Sequence, residues 1–203
     1  MVKRLGVVFY KVLFIKHPRA VSCCFQQETS KGTARSLISN QEKRNMLDDH
    51  TLISRITFFF CTLIHWTWGI LQNLFGLVMF LIYLKERHYR FRTSIVTIWN
   101  KPSSLGCGMF IFLSGTDYLG VSKDDNKKLQ YDTLVHEYGH CIQSLFLGPL
   151  FIPIIAIPSV SWAFFPYFDR LRNRKKISYY WLYCEKWANR IGDRICENRR
   201  ILK

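Results

Sequence analysis

Three residues close together in the chain have the types and spacing of a hydrolytic metal site: His136, Glu137 and His140, in the run His136-Glu137-Tyr138-Gly139-His140. On a helix, side chains four residues apart project from one face, so the two histidines point at a single ion, and imidazole nitrogens suit zinc. Glu137 falls one position further round. There its carboxylate can take a proton from a water activated by the ion instead of ligating it. Gly139 leaves room for a close neighbour.

A hydrolytic zinc site needs a third protein ligand and a position for water. No histidine lies beyond the motif, and Gln143 and Phe146 stand where a metzincin-type extension needs Gly and His. A downstream ligand is therefore acidic or, less suitably, a cysteine. The acidic candidates are Asp169, Glu185, Asp193 and Glu197. Glu185 is favoured because Glu185-Lys186-Trp187-Ala188-Asn189 places a carboxylate, a small residue and an amide on adjacent helical positions. Small Ala188 lets this helix pack closely on the first, and Asn189, one turn on, can hydrogen-bond a ligating histidine. Tyr131, Tyr138, Tyr179, Tyr180 and Tyr183 are each candidates to hydrogen-bond the transition-state oxyanion.

The elements that must position these residues are unusually apolar. Ile56 to Leu84 holds 29 residues without Asp, Glu, Lys or Arg, more than the roughly 20 that cross a bilayer. It predicts a transmembrane helix, too far from the N-terminus and too long to be a signal peptide. A second uncharged stretch, 145–168, carries Pro149, Pro153, Pro158 and Pro166, which makes it a re-entrant or second membrane segment. The net charge of +15 sits in the remaining segments, with ten Lys/Arg against four acids in 1–55 and eleven against four in 169–203. Both ends thus read as cytoplasmic. No aromatic and basic surface of the nucleic-acid-binding kind accompanies the charge, so no nucleic-acid partner is expected. The seven cysteines show no CxxC spacing and read as reduced thiols. His65, Gln72 and Asn73 are polar residues inside the first apolar stretch; His65 reads as hydrogen-bonded between helices, outside the site.

Residues 1–55 form a basic N-terminal region with an apolar patch, LGVVFYKVLFI, and a polar run from Gln26 to Asn45; Met46 is a plausible alternative start. Residues 56–84 are the transmembrane helix, and 85–203 a metallopeptidase domain that includes segment 145–168. Within it, Tyr89 to Trp99 and CGMFIFL, joined by NKPSSLG, predict a small β-hairpin. CGMFIFL would offer an edge to an extended peptide or be an ordinary half-buried strand. The loop KDDNKK precedes a helix from Leu129 to Leu147, and ISYYWLYCEKWANRIGDRI is helical. The fold class is therefore a mainly α membrane protein: one transmembrane helix, a Pro-rich re-entrant or second membrane segment, a small β-hairpin and a zincin-like helix pair.

If both apolar stretches crossed the bilayer, His136 and His140 would emerge opposite Glu185. A re-entrant second stretch returns all three to one face, made cytoplasmic by the basic C-terminal segment, which puts the N-terminal region outside despite its charges. The alternative sinks the motif helix into the bilayer with Asp169 as third ligand, similar to a site-2-type intramembrane protease.

With H-E-x-x-H followed at a distance by E-x-x-A-N, the chain resembles the gluzincins, especially the membrane peptidases related to bacterial heat-shock membrane proteases and CAAX prenyl proteases. In those families Asp usually stands at the position of Asn189, as partner of a zinc-bound histidine. The chain is also similar to small bacterial membrane proteins with HEYGH before an apolar Gly-Pro segment. The resemblance implies an integral protein of the bacterial cytoplasmic membrane. It implies zinc held by His136, His140 and Glu185, and Glu137 as general base in hydrolysing a peptide or membrane-protein substrate. The rival is a membrane adaptor with a structural zinc closed by Cys141 or Cys184.

Overall fold

A computed structural model describes residues 52–116 and 123–196. The expectations for residues 1–45 and the alternative start at Met46, and the candidate ligand Glu197, lie outside the described residues. The apolar stretch 56–84 forms two helices, α1 (Leu52–Thr67) and α2 (Ile70–Ile82), bent by 104°. This corrects the predicted transmembrane helix. The 16 residues of α1 and 13 of α2 reach about 24 and about 20 Å at 1.5 Å per residue, short of the roughly 30 Å hydrocarbon core. No single described helix is long and apolar enough to cross a membrane. The break falls at Trp68 and Gly69, whose N–H groups both turn to the Ile64 carbonyl. A Cβ on Gly69 would lie 3.0 Å from Gln72 Nε2.

The predicted hairpin is also corrected, to a four-stranded mixed sheet. Each run expected as one strand either forms or completes a hairpin of its own. In the first, β1 (Arg87–Phe91) and β2 (Ser94–Trp99) pair antiparallel around Arg92, at φ 51°. In the second, β3 (Leu105–Cys107) and β4 (Phe110–Ser114) pair around Gly108, at φ 61°. The two hairpins then join through a parallel β2–β4 pairing, Val96 opposite Ile111, giving the order β1-β2-β4-β3. Phe110–Ser114, the larger part of CGMFIFL, is thus an interior strand, and an edge is offered by β3 instead.

Side chains alternate across the sheet and separate two cores. Val96, Ile111 and Leu113 face helix α3 (Lys123–Leu147), whereas Trp99, Phe110 and Phe112 pack toward Phe58, Trp66 and Leu77 of α1 and α2. The sheet is therefore sandwiched between the bent pair and α3. Helix α3 begins at Lys123, taking in the KDDNKK run expected as a loop, and ends before Gly148 as predicted. Leu134 to Ser144 is buried on every side.

Segment 145–168 is helical in broken pieces. A 3-10 turn (Gly148–Leu150) and a π-helical stretch (Ile152–Ala156) lead into α4 (Ile157–Phe164), and α5 (Pro166–Lys175) turns away by 72°. After a short 3-10 turn at Tyr179–Trp181, α6 (Tyr183–Ile195) carries Glu185 back onto α3. The chain is mostly helical around a mixed sheet.

Candidate metal centre

Helices α3 and α6 cross antiparallel with backbone against backbone. A Cβ on Gly139 would lie 2.1 Å from the Ala188 carbonyl oxygen, and one on Gly192 2.2 Å from that of Val135. As residue numbers rise on α3 they fall on α6. Val135 meets Gly192, His136 meets Asn189, Gly139 meets Ala188, His140 meets Glu185 and Gln143 meets Cys184. The glycines and Ala188 thus set the separation at which the side chains on the same rungs converge.

Glu185 Oε2 lies 3.0 Å from His136 Nε2 and 3.6 Å from His140 Nε2. Ligand atoms of the three residues all lie within 4.8 Å of one another, and all three residues are buried. Each ring is held from behind: His136 Nδ1 donates to Asn189 Oδ1 at 2.6 Å, and His140 Nδ1 to Gln143 Oε1 at 2.8 Å. Gln143 is itself oriented, donating from Nε2 to the Cys184 carbonyl at 3.0 Å. An amide oxygen only accepts, so both rings carry a proton on Nδ1 and turn Nε2 toward Glu185. With both rings neutral, three acceptors face one another and Glu185 Oε2 is buried without a donor. A cation resolves that arrangement, because a buried acceptor without a donor costs free energy. This buried group could hold a metal ion.

No protein family, curated protein or solved structure matches the chain.

Protons are the alternative occupants. Burial disfavours charge on His140, but the carboxylate of Glu185 and its hydrogen bond push it up to about 9. Glu185, although burial raises it, is held well below the usual carboxylate range by His140 and His136. A metal ion competes with these protons for the same lone pairs.

Glu137 stands beside the trio. Its backbone and carboxylate press on β3, where a Cβ on Gly106 would be 2.5 Å from Glu137 O and 3.2 Å from its Oε2. Burial raises the Glu137 carboxyl above its ordinary value, opposed by the neighbouring His136 and His140. A carboxylate with raised proton affinity, next to a metal group, is suited to general-base work.

The remaining sequence candidates separate clearly. Asp169 pairs with Arg172 at 3.2 Å and is not part of the group. Cys141 packs in the core facing the sheet, and Cys184 packs with Phe151 and Ile155, its thiol 3.7 Å from Glu185 Oε1. Neither joins the three ligand residues among the described residues. Tyr138 donates or accepts at Thr93 on the sheet side, Tyr131 lies beside that core, and Tyr183 bonds the Ile154 carbonyl. Tyr180 stacks edge-on against His136 with ring centroids 5.4 Å apart. The Tyr179 phenol is raised by burial and by the charges of Glu185 and Glu137. Of the five, Tyr180 contacts a histidine of the centre, and Tyr179 packs edge-on against Tyr180. Sequence reasoning missed Gln143 as a histidine partner and Gly106 as the contact of Glu137. A glutamine three residues after the second histidine was the available signal for the first.

Asn189→Ala should weaken metal affinity by roughly 10–100-fold, as loss of a ligand's orienting partner does, without unfolding the chain. Competition with a chelator measures it; unchanged affinity would show that His136 does not need Asn189.

Proposed function

We propose that this chain is a membrane-associated, zinc-dependent endopeptidase of gluzincin-like type. The observation that carries the reading is the convergence of both histidine Nε2 atoms on Glu185 Oε2, with Glu137 beside them and no fourth ligand residue in the group among the described residues. Two imidazoles and one carboxylate are a donor set that suits catalytic zinc, whereas a structural zinc prefers four protein ligands. The placement of Cys141 and Cys184 weighs against the closed structural site, and the Asp169–Arg172 pair against the site-2-type alternative.

A zinc ion bound there would act as a Lewis acid toward a water and a peptide carbonyl. His136 and His140, fixed by Asn189 and Gln143, and Glu185 hold the ion. The Glu137 carboxylate takes a proton from the attacking water and passes it to the leaving amine nitrogen. Gly106 lets β3 lie against that carboxylate. The substrate class is a peptide or a membrane-protein segment exposed at a bilayer surface, and the membrane is the bacterial cytoplasmic one; no nucleic acid is involved.

Glu137→Gln should keep bound zinc while peptide-library cleavage by the zinc-loaded, detergent-purified protein falls at least about a hundredfold. Undiminished cleavage would refute the base assignment, and a wild type that binds zinc but cleaves nothing would favour the adaptor.

A further inference from the structure

The bent pair α1–α2 turns one apolar side, with Phe58, Trp66 and Leu77, to the sheet and another outward. Its buried residues are His65, Gly69, Gln72, Asn73 and Gly76, while Leu63, Leu71, Leu74, Val78 and Leu81 are exposed. In water the hydrophobic effect drives the opposite arrangement. The inward polar residues are used as connectors: Asn73 Oδ1 accepts from Met109 N at 3.0 Å, and Gln72 Nε2 donates to the Gly148 carbonyl at 2.9 Å. That polar seam ties α1–α2 to the sheet and to the end of α3, leaving the other apolar side outward by construction. A contiguous outward apolar face of this kind marks an interaction surface.

Two further features select the occupant. Cations flank the apolar segments: Arg55 near the start of α1, Lys85 and Arg87 after α2, and Arg170, Arg174 and Lys175 on α5. Exposed Phe165 and Tyr167 stand at the bend between apolar α4 and basic α5. Exposed apolar surface, exposed aromatic residues and Lys/Arg next to the apolar segments in the chain are complementary to a bilayer with anionic headgroups. Neither α1 nor α2 is long enough to span one, and the 104° bend lays them apart.

We infer that the outward face of α1–α2, together with basic α5, docks on an anionic lipid bilayer and lies in its interface instead of crossing it. Trp68, at the α1–α2 corner, donates to the Phe146 carbonyl at 3.4 Å, and Phe146 is only six residues beyond His140, about 9 Å along the helix. Docking therefore holds the metal centre close to the headgroup layer. The inference rests on the membrane association proposed above, but not on the identity of the metal or on hydrolysis.

Vesicle flotation of the full chain tests it, using phosphatidylcholine vesicles with or without phosphatidylglycerol. Wild type should float with the phosphatidylglycerol vesicles and be released progressively by salt. Leu74→Glu with Val78→Glu should lower partition at least about tenfold. Arg174→Glu with Lys175→Glu should lower it about 25-fold or more on anionic vesicles only, at roughly fivefold per lost cation. Zinc content should be unchanged in both variants, which reports an intact fold. Equal, salt-insensitive flotation on both vesicle types would leave membrane association standing and overturn the anionic docking surface; no flotation on either would remove both. Flotation untouched by Leu74→Glu with Val78→Glu overturns the assignment of the face. So does a lipid-independent oligomer that this variant dissolves, because a second copy would then be the occupant.

Discussion

A Gly139→Val protein is expected to lose its metal and to unfold far more readily than wild type. The first side-chain carbon alone would stand 2.1 Å from the Ala188 carbonyl oxygen and 3.0 Å from Ala188 Cα, and backbone has no rotamer to yield. Relief requires α3 and α6 to move apart by more than an ångström. Overpacking of this kind costs about 1–3 kcal/mol where side chains can shift, and ~3 kcal/mol or more is expected where they cannot. The metal adds to the loss, since its ligands are divided between the two helices. A mid-helix glycine ordinarily costs about 1 kcal/mol against alanine, so a glycine here is explained by close approach and not by propensity. Thermal unfolding with and without zinc is the measurement. A melting temperature equal to wild type in both conditions would mean that the helices do not meet at this point.

Glu185→Ala should lower zinc affinity by roughly a thousandfold or more, taking one of three ligands from a site whose binding energy is shared among them. Asp169→Ala is the matched control: its carboxylate faces Arg172, and zinc stoichiometry should stay at the wild-type value. Metal analysis of the purified proteins separates the two outcomes. Zinc lost with Asp169 and kept without Glu185 would move the site and refute the centre described above.

Much of the centre was legible in the chain. The four-residue spacing of His136 and His140, and of Glu185 and Asn189, follows from helix geometry alone, and each pair lies on one helix face as expected. Asn189 takes the histidine's Nδ1 although an Asp is usual in the families that the motif resembles, because an amide oxygen accepts that hydrogen bond as a carboxylate does. Gln143 and Gly106 were not legible, since their roles depend on which helix and strand lie alongside. The sheet was half legible. Alternation marked the strands, but the turn at Arg92 uses a positive φ at a residue that gives no turn signal, so two strands read as one. The error at 56–84 had a different source. Hydropathy sums a segment without regard to direction, and here Gln72 and Asn73 point inward while Leu71, Leu74 and Leu81 point out. Polar residues noted as oddities in a straight span were in fact marking the side that faces the protein.

The rungs between α3 and α6 also govern when the centre comes into being. His136 and Asn189 are separated by 53 positions in the chain, and the broken helices of segment 145–168 lie within the loop that has to close between them. During synthesis both histidines emerge ahead of Glu185, and contacts of such long sequence separation form late because the loop between them has first to close. A half-made chain therefore carries two ligands, no completed centre and no proposed activity. The proposed peptidase activity would arrive only once this long-range contact has formed.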